Sequence, residues 1–162
     1  MSRWAVIAAT VLAALVVQVA LLPAFISPLF KPDLLLIIMV FLALRGEFES
    51  GAPLSWGLGL VKDVFGGLYL GLNAFTFLII FVIIKQISDR LYAESGNVFV
   101  VAVSASTLAS VLLDLLLLLM FTPAPGIAYS IGSGLIPLLL VNAFCASLMT
   151  LVPGFTSPLD AQ

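Results

Sequence analysis

The sequence holds 162 residues, 63% hydrophobic and only 9% charged, with a formal net charge of −2 and no histidine. A soluble domain carries roughly a quarter charged residues, so this chain cannot cover its own apolar surface with polar groups, and a water-soluble fold is excluded. The negative balance and the lack of a basic patch argue against nucleic acid as a partner.

The solvent must therefore be lipid, and the elements follow as membrane helices. A helix needs about 20 apolar residues to cross the hydrocarbon core. A membrane barrel would alternate with period two, which the run 112–121 does not do. We predict one transmembrane domain over residues 1–162, with helices at about 5–22, 33–44, 52–65, 71–85, 98–121 and 134–152. The first helix follows Arg3 and stops at Pro23. No small-residue cleavage pattern clearly ends it, so it reads as a retained helix rather than a signal peptide. Ala5, Ala9 and Ala13 recur every fourth residue and form a small-residue face for helix packing, and Gln18 is its strongly polar member.

Residues 24–30 read as a short interfacial turn. Pro32 suits the first turn of the second helix, and Asp33 favours the positive end of its dipole. The uncharged run 34–44 would span only about 16 Å, so this helix must extend into its flanks or sit inside a bundle. Residues 45–51 form a polar loop. The stretch from Trp56 to Asn73 then combines Gly57, Gly59, Gly66, Gly67 and Gly71 with the adjacent charges Lys62 and Asp63. It reads as a glycine-softened passage between the third and fourth helices. Neighbouring side chains on a helix point about 100° apart, so Lys62 and Asp63 cannot both face one partner. Lys62 either snorkels to the interface while Asp63 caps the next helix, or pairs with Asp114.

Residues 85–97 form the most polar loop. The fifth helix, 98–121, carries one charge, Asp114. Thr107, Ser110 and Asp114 fall at i, i+3 and i+7 and share one face. A carboxylate in hydrocarbon is costly, so this stripe should point inward, as a hydrogen-bond cluster or as a ligand or ion site. Thr122–Gly132 reads as a loop, and Pro137 is tolerable near the start of the sixth helix. Asn142 there is an amide suited to bonding across helices. With six helices both termini share a side. That side collects Arg3, Arg45, Lys85 and Arg90 against Lys31 and Lys62 on the other, which favours cytoplasmic termini.

Catalytic chemistry finds little support. The single cysteine, Cys145, excludes an intrachain disulfide, and the missing histidines remove the usual acid–base and metal groups. No cofactor is expected.

Pro32-Asp33-Leu34-Leu35-Leu36, then Ala43-Leu44-Arg45-Gly46, then Gly57-x-Gly59-Leu60-x-x-Asp63-x-x-x-Gly67-x-x-x-Gly71-x-x-Ala74, resembles the MreD family of rod shape-determining membrane proteins. Gln18, Asn73, Pro137 and Asn142 also sit within that resemblance, which covers nearly the whole chain. It implies an all-α, six-helix bundle of the bacterial inner membrane, similar in fold to the substrate-binding subunits of energy-coupling-factor vitamin transporters. It further implies a non-catalytic scaffold that binds MreC in the cell-wall elongation machinery, together with MreB, RodA and a class B penicillin-binding protein. A second reading is a substrate-binding subunit of such a vitamin transporter, with Thr107, Ser110 and Asp114 as pocket residues. A third is a small ion or proton carrier using Asp63 and Asp114.

Overall fold

The computed structural model describes residues 3–21, 24, 30–66, 69–88, 96–121 and 127–151, and the side chains among them except those of residues 3–8, 21, 121 and 127–133. Six helices make up the described chain, with no strand. Helix α1 is Arg3–Val16 and runs on as a π-helical stretch, Val17–Leu21. It is followed by α2 (Leu34–Arg45), α3 (Phe48–Gly66), α4 (Leu72–Ser88), α5 (Gly96–Phe121) and α6 (Ile127–Thr150).

The shortest of the six, α2, is the centre of the molecule. It contacts each of the other five helices. Its Leu35, Leu36, Ile37, Met39, Val40 and Ala43 are buried at 1% exposure or less. A helix that is apolar all round belongs inside a bundle, and α2 has no charge until Arg45. It starts within the bundle. The backbone N–H of Asp33, its N-cap, donates to Oδ1 of Asn142, which lies inside α6. A helix that neither reaches both membrane surfaces nor faces lipid needs no full span.

Two hairpins flank this centre. In the first, α3 and α4 meet closely where Gly59 faces the start of α4. A Cβ on Gly59 would stand 2.6 Å from both the amide nitrogen of Ala74 and the carbonyl oxygen of Asn73. Gly51 makes the same allowance for the ring of Phe81, which would lie 2.5 Å from such a Cβ. In the second hairpin, α5 packs along α6. Helix α1 rests against the core through Val11, Ala14 and Leu15.

The polarity of the bundle is inverted. Gln18, Asp33, Ser55, Asp63, Asn73, Thr76, Ser106, Thr107, Ser110 and Asn142 are buried. Large apolar side chains point outward, with Leu112, Leu116 and Leu119 on α5 and Ile136, Leu140, Phe144 and Leu148 on α6. Such a surface needs an apolar environment around it. Helix α5 is long and apolar enough to cross a membrane on its own over Gly96–Met120, while Ala9–Ala20, Leu72–Ser88 and Gly134–Thr150 are shorter apolar helices.

Two helices start at least a full turn earlier than the residue pattern indicates. Helix α3 begins at Phe48, so residues 48–51 of the expected loop are helical and Pro53 lies deeper in the helix than expected. Helix α6 begins at Ile127, which takes Ile127–Gly132 out of the expected loop and places Pro137 in the helix interior. Each extra turn pairs backbone groups that a loop would leave open, and neighbouring helices make an interior proline tolerable.

Candidate functional site: a buried capping cluster

A helix leaves its first four N–H groups without intrahelical partners. Helices α2 and α4 both begin inside the bundle, where water is scarce. The buried polar residues of the chain converge on these two helix ends.

At the start of α2, Oδ1 of Asp33 accepts the N–H of Leu36 at 3.2 Å, the usual N-cap bond. The N–H of Leu35 donates to Oε1 of Gln18 at 3.4 Å. The N–H of Asp33 donates to Oδ1 of Asn142 at 2.8 Å. Pro32, just before the cap, has no N–H to satisfy. Asn142 is itself held in place, because its Nδ2 donates to Oγ1 of Thr107 at 3.0 Å. Residues from α1, α5 and α6 thus serve the end of one central helix.

At the start of α4, the carboxylate of Asp63 does most of the capping alone. Its Oδ2 accepts the N–H groups of Gly71 at 2.8 Å and Ala74 at 3.3 Å. Its Oδ1 accepts the N–H of Asn73 at 3.1 Å and the side-chain Nδ2 of the same residue at 2.8 Å. The negative charge also lies at the positive end of the α4 dipole. Gly71 has a φ of +97°, a conformation that glycine adopts without strain, and this turns its N–H towards Asp63. Asn73 Oδ1 is left buried without a hydrogen-bond partner.

Lys62 connects the two ends. Its Nζ lies 2.6 Å from Oδ2 of Asp33 and 5.0 Å from the centre of the Phe77 ring. Of the arrangements open from the residue pattern, the Asp63 half of the first is found, since Asp63 caps the next helix, but Lys62 turns inward and its partner is Asp33, not Asp114. Adjacent residues on α3 therefore tie different helices, Lys62 holding the cap of α2 and Asp63 capping α4. Asp114 takes another partner, its Oδ1 accepting the hydroxyl of Thr76 at 2.8 Å, and it lies close enough to feel the charges of Lys62, Asp33 and Asp63.

The remaining candidate residues fall around this cluster. Thr107 and Ser110 face inward, their hydroxyls donating to the carbonyls of Val103 and Thr107. With Asp114 they share a face of α5, but Thr107 meets α6 and Asp114 meets α4. Gly57 faces open space. Ala9 and Ala13 lie on the exposed side of α1. The side chain of Ala5, and Gly67 as a whole, lie outside what the structure describes.

One member of the cluster and one pairing are not directly legible in the residue pattern. Thr76 is a lone hydroxyl in an apolar run, and nothing local marks it as the partner of Asp114. The Asp33–Lys62 pair had a usable signal. Consecutive helices run antiparallel, so a charge at the start of α2 and one near the end of α3 fall at similar depth.

A family model described as rod shape-determining protein MreD matches residues 1–154. The chain belongs to the MreD family. It is thereby a member of a family of membrane proteins concerned with cell shape. No curated protein and no solved structure matches it. Within this MreD-family chain, the match spans both capped helix ends and all six helices.

Proposed function

We propose that this chain is a non-catalytic, multi-pass scaffold of the bacterial inner membrane. It binds MreC and holds it within the cell-wall elongation machinery, alongside MreB, RodA and a class B penicillin-binding protein. Its termini face the cytoplasm, on the side that collects Arg3, Arg45, Lys85 and Arg90 when the chain traverses the bundle six times. The observation that carries this reading is the use made of the interior polar groups. Asp33, Asp63, Gln18 and Asn142 are committed to backbone N–H groups of helix ends. A carboxylate holding four donors is built to fix shape rather than to exchange protons or ligands. The apolar outer faces of α5 and α6 then present a rigid surface to a partner within the bilayer.

The test combines partner capture with cell shape. Photo-crosslinking residues placed at the outward positions Leu112, Leu116, Ile136, Leu140 and Phe144, one at a time, should trap MreC along one contiguous stripe. Depleting the protein should turn rods into spheres. Failure to crosslink MreC from any position, with rod shape kept on depletion, would sink the reading.

A further inference from the structure

Beside the capping cluster lies a cleft of about 280 Å³ that the helix-end bonds do not fill. It runs between α1, α3 and α6. Lys31, Lys62, Asp33 and Gln18 line its polar part, while Leu15, Val19, Phe65 and Leu138 line its apolar part. Val19 and Phe65 stand exposed on the lipid-facing surface of the bundle, so the cleft is open sideways to the bilayer. Its charge is unbalanced. Lys62 is countered by Asp33, but Lys31 is half-buried with no acidic partner among the described residues. An ammonium has three donors, and Lys62 gives one to Asp33 and shows about a fifth of its side chain to the outside. Asp63 does not compensate, because its oxygens are turned to the N–H groups of α4. Asp114 bonds Thr76 and does not line the cleft, although it lies near enough to share in countering Lys62, so Lys31 is the cation left without a carboxylate beside it among the described residues.

We propose that this cleft is a binding site for an anionic phospholipid. The phosphate diester sits between Lys31 and Lys62, and an acyl chain runs out past Val19, Phe65 and Leu138. Basic pockets between membrane helices hold acidic head groups by this combination of cations and apolar walls. The N–H groups of Asp33, Leu35 and Leu36 at the start of α2 are already used by Asn142, Gln18 and Asp33, so the two lysines supply the main recognition. The site stands independently of MreC binding.

The test is native mass spectrometry of the full chain released from nanodiscs of equal parts phosphatidylglycerol and phosphatidylcholine. The wild type should retain phosphatidylglycerol preferentially. Lys31→Gln touches none of the capping bonds and should lower that preference about fivefold, the worth of one lysine at a membrane surface. Lys31→Arg should keep it. Excess inorganic phosphate should fail to displace the lipid, and displacement would overturn the part played by the acyl chain. Equal retention of the two lipids, or an unchanged preference in Lys31→Gln, would overturn the proposal. So would protection of Lys31 from amine labelling by bound MreC but not by phosphatidylglycerol, which would assign the cleft to an acidic protein segment.

Discussion

At the scale of single residues, the carboxylate of Asp63 takes the place of water at the start of α4, where Asn73 and Ala74 are buried. Replacing it leaves the N–H groups of Gly71, Asn73 and Ala74 without that acceptor. A lost cap costs about 1 kcal/mol and each buried unsatisfied donor about 1–3 kcal/mol. Asp63→Ala should therefore destabilise the folded chain by at least about 2 kcal/mol, read as a lower unfolding midpoint in detergent, with MreC capture falling in step with the folded fraction. Intact folding with selective loss of MreC would instead mark Asp63 as an interaction residue. The Asp33–Lys62 pair behaves differently. Lys62→Met strands a buried carboxylate, whereas Asp33→Asn with Lys62→Met removes both charges and keeps a capping oxygen. The double variant should be more stable than Lys62→Met alone, and equal or greater loss in the double variant would show that the charge pair is not what Lys62 contributes.

At the scale of elements, the α3–α4 hairpin depends on one close backbone approach. Gly59 faces the backbone of Asn73 and Ala74, which cannot swing aside as a side chain can, whereas Gly57 faces open space. Gly59→Leu should separate the two helices and misplace Asp63 from the N–H groups it caps, with a loss of at least about 1–3 kcal/mol, the range typical of overpacking. Gly57→Leu should be close to neutral. Paired thermal-stability measurements decide this, and similar losses in both would refute the close-approach account. The residue pattern alone makes these two glycines equivalent members of one motif. Only the neighbouring helix distinguishes them. Helix boundaries show the same limit. Residues 48–51 and 127–132 carry polar and glycine residues that read as loop, yet in the bundle α3 and α6 begin there and place Pro53 and Pro137 deeper in the helices.

At the scale of the whole molecule, the inverted arrangement of polar and apolar groups follows from the solvent. Lipid takes the large apolar side chains, and the few polar groups are drawn together inside to satisfy backbone and one another. Helix α2 shows how far this goes. It is too short to span, so it is enclosed, and its buried start must be capped by Asp33, Gln18 and Asn142, the last two from distant parts of the chain. Asn142→Leu should therefore loosen α2 although it lies on α6. Hydrogen exchange at the Asp33 amide should rise in that variant, and unchanged protection would show that the bond to Asn142 is dispensable.

The amino-acid sequence by itself determined the class of the protein. Charge content and apolar run length specify lipid as the solvent and helices as the elements, since both properties are sums over local residues. The family motif, the short second helix and the inward face of Thr107 and Ser110 are equally local. Which polar group meets which was decided only by the tertiary structure. Lys62 takes Asp33, Asp114 takes Thr76 and Asn142 reaches the start of α2. Periodicity gives the direction of a side chain around its own helix. Depth in the bundle and the order of neighbouring helices settle its partner, and neither is written in any one stretch of the chain.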